Sequence, residues 1–215
     1  MKEKQVVKVE SKITGGHYAF KNPESKSAFT NKMTEAMAVI LKPDDIVADI
    51  GGYVGEYSLY AHTKGVKKIY TYEPTPITFD LLVQNKRPGM EVFQKAVTGI
   101  QMDSVKLFTS DGIGVTNSIA KSHRKKGVVE VPAIRYEEAL KDANVVKIDV
   151  EGAEYSYNVV QPQLRAIIIE FHPITKVDWI ANAVKIMNDI KSAGFKPLRE
   201  PGFSNGWDCH ASYVR

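Results

Sequence analysis

Two apolar segments in the second half of the sequence carry side chains that can take up a proton or bind a cation. The first contains Asp149 and Glu151, and the second contains Glu170 and His172. A positioned imidazole or carboxylate can remove a proton from a substrate, and carboxylates are the ligands that hard cations prefer. These residues therefore predict a catalytic site that works by proton removal, with Mg²⁺ at Asp149 and Glu170 as an open alternative.

A third segment, residues 46–55, has the composition of a buried strand that ends at a tight turn. Glycines let the backbone approach a ligand closely, and the helix start behind them offers unpaired N–H groups. The carboxylate at the strand end would repel a pyrophosphate but attract an ammonium or sulfonium group, and S-adenosylmethionine carries both. The alternative is a turn that binds no ligand. The cofactor-site candidates here are Asp49, Gly51, Gly52, Tyr53 and Gly55.

The remaining strands would bring these groups to one edge. Lys68–Glu73 is predicted as the second strand, and the carboxylate of Glu73 can accept both hydroxyls of a ribose. Glu91–Val97 would be the third strand, which gives the spatial order 3-2-1. Asn144–Val150 and Arg165–Phe171 would follow on the other side. Burying so many carboxylates together is unfavourable without a positive charge, so the sequence predicts a cationic ligand or a metal there.

Residues 104–135 break the alternation of strands and helices and are predicted as an inserted hairpin or lid. Ser104–Phe108 and Val128–Pro132 have the composition of strands. Between them lie Asn117 and Ser118, predicted polar contacts of the cofactor, and a basic run at residues 121–126. This run is either a solvated loop or a grip for an acidic or phosphorylated substrate.

Composition limits the class of protein. The chain has 215 residues, 43% of them apolar, which suits one α/β domain over residues 1–215, with residues 1–43 as an N-terminal cap. The net charge of +4 is too small to indicate a polyanionic partner by itself. A single cysteine and the lack of a long apolar run predict a cytoplasmic protein without a membrane span. The oligomeric state is not readable.

These motifs resemble the FkbM family of S-adenosylmethionine-dependent methyltransferases. The resemblance rests on Val47–Gly51 with Gly55, Tyr72–Pro74, Asn117-Ser118, the Lys147–Glu154 stretch and Ile169–Pro173. It implies a Rossmann-like class I methyltransferase fold: a three-layer α/β sandwich whose mostly parallel seven-stranded sheet has the order 3-2-1-4-5-7-6 and a C-terminal antiparallel hairpin. It also adds Pro74 and Asp149 to the cofactor site. The family usually has Ala-Asn where this chain has Gly52 and Tyr53.

The resemblance further implies O-methylation of a sugar or small natural-product-like acceptor. His172 is the first candidate for the base, because an imidazole with an ordinary pKa accepts a proton at neutral pH, and Glu170 would orient it. Asp149 is the second candidate, and Glu154 is expected only to occupy the first turn of a helix. Two other functions stay open: RNA ribose O-methylation, suggested by the basic run, and a non-catalytic nucleotide- or metabolite-binding module.

Overall fold

The computed structural model describes residues 7–10, 17–20, 38–109, 127–174, 178–201, 203 and 210–215. The strands are, in chain order, β1 (Val7–Glu10), β2 (His17–Phe20), β3 (Ile46–Ile50), β4 (Lys68–Tyr72), β5 (Met90–Phe93), β6 (Ala96–Thr98), β7 (Ser104–Thr109), β8 (Gly127–Arg135), β9 (Val145–Ile148), β10 (Ala166–Glu170), β11 (Lys196–Arg199) and β12 (His210–Val214). The helices are α1 (Glu56–Thr63), α2 (Pro76–Asn85), α3 (Tyr136–Leu140) and α4 (Trp179–Ser192), and Glu154–Ser156 forms a 3₁₀ turn.

Among the described residues, seven strands form the central sheet, in the order β5-β4-β3-β9-β10-β12-β11. Neighbouring strands are parallel except where β12 runs antiparallel to β10 and to β11. The predicted order 3-2-1-4-5-7-6, with its C-terminal antiparallel hairpin, is therefore confirmed. Because β3 and β9 are neighbours, the ends of the first and fourth strands of this order meet at the middle of the sheet.

Successive side chains of a strand point to opposite faces, and this divides the core into two parts. On β3, Val47 packs with residues of α1 and α2, whereas Ala48 packs with residues of α3 and α4. On β10, Ile168 and Ile169 are divided in the same way. Helices thus cover both faces, and the sheet is the middle layer of three.

The insertion between the third and fourth strands of the central sheet is present. β7 pairs antiparallel with β8, and β6 joins β8 in parallel, so that these strands form a separate three-stranded sheet. The predicted third strand was too long, because the chain leaves the central sheet after Phe93 and Val97 belongs to β6. Residues 110–126, with Asn117, Ser118 and the basic run, lie outside the described residues. The role of the insertion as a lid stays a prediction.

In the N-terminal part, β1 and β2 pair as an antiparallel hairpin. Most of the predicted cap at residues 1–43 lies outside the described residues, so the cap also stays a prediction. No helix in the described part of the chain combines the length and the apolar content that a membrane span requires.

Candidate active site

The glycine turn that follows β3 is held from inside the fold. The backbone N–H groups of Gly51 and Gly52 both donate to the carbonyl oxygen of Tyr72, at 3.0 and 2.9 Å. A Cβ atom on Gly51 would lie 1.7 Å from the carbonyl oxygen of Asp149, and one on Gly52 would lie 2.2 Å from Cγ2 of Thr71. Close packing of the turn against the neighbouring strands therefore accounts for both glycines, independently of any ligand.

Asp49 lies beneath this turn rather than on its surface. Its side chain is fully buried, and Oδ2 accepts hydrogen bonds from the N–H group and the hydroxyl of Ser58, at 3.1 and 2.6 Å. Ser58 belongs to the first turn of α1, so the carboxylate stabilises the start of that helix. A direct contact between Asp49 and the cationic end of a ligand stays a prediction, and the described contacts of this carboxylate are internal. Its contribution to a cofactor site would be to hold the turn and the helix together.

Glu73 follows β4 and binds the backbone of the glycine turn. Its Oε2 accepts a hydrogen bond from the N–H group of Tyr53 at 3.1 Å, and its Oε1 accepts one from the N–H group of Thr75 at 2.8 Å. Tyr53 has a φ of 51°, in the left-handed region, and Pro74 lies between Glu73 and Thr75. Burial raises the pKa of Glu73 to about 7, although the two N–H groups act in the opposite direction. The carboxylate therefore changes charge near neutral pH.

Lys147 connects the glycine turn to the acidic residues on the other side of β3. Its Nζ donates to the carbonyl oxygen of Gly51 at 2.9 Å and to Oδ2 of Asp149 at 3.2 Å, and it lies 3.6 Å from Oδ1 of Asp49. Burial lowers the pKa of Lys147, but the charges of Asp149 and Asp49 outweigh burial and raise it. A protonated lysine therefore already lies among the carboxylates. The inference that only a ligand or a metal can neutralise them needs this correction.

His172 lies among four carboxylates. Its Nε2 is 3.5 Å from Oδ1 of Asp149, 3.6 Å from Oε1 of Glu151 and 3.5 Å from Oε1 of Glu170. Its Nδ1 is 3.3 Å from Oε1 of Glu154. We call these five residues the His172 cluster. The predicted residues Asp149, Glu170 and His172 are thus brought together.

The charges of the His172 cluster change the protonation state expected for the histidine. Burial by itself lowers the pKa of His172, but the hydrogen bond to Glu154 and the negative charges of Glu154, Glu151 and Asp149 raise it to about 10. The raised pKa favours a protonated His172 ring at neutral pH, so the ordinary imidazole pKa expected from the sequence does not hold here. A protonated ring cannot accept a proton, and the role of His172 as the base stays a prediction.

Two members of this region were missed from the sequence. Glu154 does begin a short helical turn, but its side chain is fully buried and accepts hydrogen bonds from the N–H groups of Gly152 at 2.8 Å and of His172 at 2.7 Å. His210, the first residue of β12, lies 3.1 Å from Oε2 of Glu170. The spacing of acidic residues at 149, 151 and 154 was a signal for the first. For the second, only the antiparallel pairing of Glu170 with His210 gives the contact.

Part of the His172 cluster also has the composition of a cation site. Asp149, Glu151 and His172 each offer one ligand atom, and these atoms all lie within 4.8 Å of one another. The set shares Asp149 with the pair that the sequence suggested and replaces Glu170 by Glu151 and His172. A site of this kind requires ligands from both strand ends, which β9 and β10 supply as neighbours in the sheet.

The model of the methyltransferase FkbM domain matches residues 49–197, well over half of the chain. The chain belongs to the FkbM methyltransferase family. The order and the mostly parallel arrangement of its central sheet agree with membership of this family. The matched residues include the glycine turn, Glu73 and the His172 cluster.

Two known proteins are similar to this chain, one in sequence and one in fold. A hexuronic acid methyltransferase, AglP, from Haloferax volcanii is 27% identical over 141 residues, which cover 60% of this chain and 56% of that protein. The chain therefore spans little more than half the length of this relative. A precorrin-6y C5,15-methyltransferase from Geobacter metallireducens has a similar fold, with a TM-score of 0.50 at 13% identity, covering 86% of this chain and 87% of that chain. At this identity the likeness shows the fold alone.

Proposed function

We propose that the protein transfers the methyl group of S-adenosylmethionine to a hydroxyl group of a sugar or a similar small acceptor. The observation that carries this proposal is the position of Lys147, whose Nζ contacts both the carbonyl oxygen of Gly51 and the carboxylate of Asp149. One side chain thus joins the turn expected to hold the donor to the acidic cluster expected to hold the acceptor. Methyl transfer requires this proximity, because the attacking oxygen must approach the methyl carbon in line with the departing sulfur.

The donor would lie across the ends of β3 and β4. The carboxylate of Glu73 has lone pairs beyond those used by the N–H groups of Tyr53 and Thr75, and these can accept the two ribose hydroxyls. Gly51, Gly52 and Gly55 allow the backbone to approach the donor, Pro74 borders the ribose, and Asp49 supports the turn from below. Asn117 and Ser118 stay predicted contacts, since they lie outside the described residues.

The acceptor hydroxyl would lose its proton to a carboxylate of the His172 cluster. Because a hydroxyl is a weak nucleophile, a base must take its proton as the new bond between oxygen and the methyl carbon forms. The bond between that carbon and sulfur breaks, and its electron pair stays on sulfur, which leaves S-adenosylhomocysteine. Asp149 is the base in this proposal, because its backbone lies against Gly51 and Lys147 holds its Oδ2. His172, as a cation, and Glu170 would position the acceptor and set the charge around it.

The class of acceptor is supported by the relative whose name specifies a hexuronic acid, although that relative is distant and only partly covered. A sugar offers several hydroxyls that a carboxylate-lined site can bind by hydrogen bonds. The alternative of an RNA acceptor depended on the basic run at residues 121–126, which lies outside the described residues, and it stays a prediction.

The test measures transfer of a radioactive methyl group from S-adenosylmethionine to a panel of neutral sugars, hexuronic acids and RNA. We expect transfer to at least one sugar, with a rate about 10²–10⁴-fold lower in Asp149→Asn, the range typical of a general base. Glu91→Gln is the control, because Glu91 is an exposed carboxylate paired with Lys141. Unchanged turnover in Asp149→Asn would contradict the assignment of the base, and transfer to RNA alone would contradict the acceptor class.

A further inference from the structure

We propose that Asp149, Glu151 and His172 bind a divalent transition-metal ion such as Mn²⁺ or Zn²⁺. The three ligand atoms come from the ends of β9 and β10 and lie within 4.8 Å of one another. Binding of the ion does not depend on the identity of the acceptor. Its part in methyl transfer, by contrast, rests on the proposed function.

The distances around Nε2 of His172 fit an ion better than they fit hydrogen bonds. Nitrogen and oxygen form hydrogen bonds at about 2.7–3.2 Å, whereas the oxygens of Asp149 and Glu151 lie 3.5 and 3.6 Å from Nε2. Two ligands at about 2.1 Å from one ion are separated by about 3.0 Å in an octahedral site and about 3.4 Å in a tetrahedral site. The observed separations are close to the second value.

Within the described part of the chain, ionic contacts alone, without a hydrogen bond, hold Nε2 in this position. The atom is inaccessible to solvent and makes no hydrogen bond to any described residue, although it is aimed at the oxygens of three carboxylates. An imidazole nitrogen carries at most one hydrogen and cannot satisfy three acceptors. A single ion could contact both Nε2 and these oxygens, and Oε1 of Glu170, 3.5 Å from Nε2, can serve as a fourth ligand.

The neighbouring residues orient the ligands in the way that metal sites require. Oε1 of Glu154 lies 3.3 Å from Nδ1 of His172, and a carboxylate on one ring nitrogen directs the other nitrogen to the ion. Glu154 is itself fixed by the N–H groups of Gly152 and His172. Lys147 holds Oδ2 of Asp149, so that Oδ1 faces the ring. Each of two ligands is thus held by a second residue.

The ligand types select the class of ion. Mg²⁺ prefers oxygen ligands alone in octahedral geometry, whereas one imidazole with carboxylates suits Mn²⁺, Fe²⁺, Co²⁺ or Zn²⁺. The Mg²⁺ considered from Asp149 and Glu170 is therefore replaced by a transition-metal ion once His172 is included. If the acceptor hydroxyl binds this ion, its pKa falls, and Oδ2 of Asp149, the oxygen that does not bind the ion, would remove a less tightly held proton.

The experiment is a calorimetric titration of the whole, chelator-treated chain with Mn²⁺, without donor or acceptor. We expect one ion per chain and binding at least about 10-fold tighter than that of Mg²⁺. We also expect ¹⁴N modulation in the pulsed EPR spectrum of the bound Mn²⁺, because the ligand set includes one imidazole. Removing a ligand should weaken binding by more than the about 10–100-fold typical of an outer partner. The ligand variants are His172→Gln, Asp149→Asn and Glu151→Gln. Glu154→Gln removes the outer partner of His172, and Glu91→Gln is the control.

Several outcomes would overturn the metal site. These are the lack of saturable binding of Mn²⁺ and also of Zn²⁺, titrated in parallel, in the unaltered chain; binding that is the same in Glu151→Gln as in Glu91→Gln; or bound Mn²⁺ without a nitrogen signal. Glu151 is partly exposed, so its variant keeps the test decisive if His172→Gln fails to fold. Binding of S-adenosylhomocysteine, measured on the same samples, reports on the proposed function separately. Donor binding without binding of Mn²⁺ or Zn²⁺ would remove the metal site and leave the methyltransferase proposal intact.

Discussion

The pKa of Glu73 predicts that binding of the cofactor product S-adenosylhomocysteine weakens as the pH falls through neutrality. Burial raises the pKa of this carboxyl to about 7, and only the ionised form keeps every lone pair for the N–H groups of Tyr53 and Thr75 and for a ribose. A protonated Glu73 would carry a hydrogen on one oxygen and accept fewer hydrogen bonds. The ligand therefore binds preferentially to the ionised protein.

The size of the effect follows from the fraction of ionised Glu73. With a pKa of about 7, the carboxyl is ionised in about nine tenths of the molecules at about pH 8 and in about 3% of them at about pH 5.5. If only the ionised form binds, affinity falls about 30-fold between these two conditions, or about 2 kcal/mol. A carboxyl with an ordinary pKa of 4.5 would be ionised almost fully throughout this range.

The assay is calorimetric titration with S-adenosylhomocysteine at several values between pH 5.5 and 8. Glu73→Gln is the matched control, because it keeps the size of the side chain and removes its titration. We expect weaker binding and a flat profile in this variant, so that any titration of the ligand itself appears in both proteins and can be subtracted. A flat profile in the unaltered protein, or an equally steep one in Glu73→Gln, would refute the assignment of the ribose to Glu73.

In the protein without a ligand, the raised pKa of Glu73 makes the free energy of unfolding decrease as the pH rises, whereas ligand binding becomes tighter over the same change of pH. Between pH 4.5 and about 7 the folded protein holds the Glu73 proton more tightly than the unfolded chain does, so the free energy of unfolding falls as the pH rises through this window. The full difference of about 2.5 pKa units corresponds to about 3 kcal/mol. Glu73→Gln should therefore lose part of this dependence, as measured by urea unfolding at pH 5 and pH 8.

Two further predictions concern the packing of the site and its support. Gly52→Ala should lower the free energy of unfolding by about 1–3 kcal/mol, because the new Cβ atom would lie 2.2 Å from Cγ2 of Thr71. Adding Thr71→Ser removes Cγ2 and should restore most of the lost stability, as measured by urea unfolding. Equal losses in the single and double variants would contradict this reasoning. Asp45→Ala should lower the free energy of unfolding by about 2–3 kcal/mol, because the buried carboxylate accepts a 2.6 Å hydrogen bond from Nε of Arg165. Asp189→Ala removes one partner of an exposed ion pair and should change the free energy of unfolding by less than about 0.5 kcal/mol. Similar losses of stability in the two variants would contradict the expected effect of burial.

The positions of β3, β4, β9 and β10 in the central sheet could be predicted from local patterns, whereas the full order 3-2-1-4-5-7-6 was implied by the resemblance to the FkbM family. Apolar runs followed by Gly, Pro or charged residues marked the ends of β3, β4, β9 and β10, and right-handed crossovers then fixed their neighbours. The third strand was overextended because strand-forming residues lie on both sides of Gln94-Lys95-Ala96, and the sequence does not mark where the chain changes sheets.

The members of the site that were missed depend on register and burial. The position of His210 beside Glu170 follows from the antiparallel pairing of β10 with β12. Glu154 was expected only in the first turn of a helix, and although its spacing from Asp149 and Glu151 was a signal, the contact with the N–H group of His172 depends on the fold. Both contacts join segments that are distant in sequence, and a local pattern contains no information about them.

The convergence of three carboxylate oxygens on Nε2 of His172 gives the strongest reason to test for an ion. The sequence predicts that carboxylates gathered at one edge need a cation. The structure places three basic side chains, Lys147, His172 and His210, beside five acidic ones. A divalent ion in place of the proton on His172 Nε2 would add one further positive charge at the point where three carboxylate oxygens converge. The five acidic side chains are Asp49, Asp149, Glu151, Glu154 and Glu170.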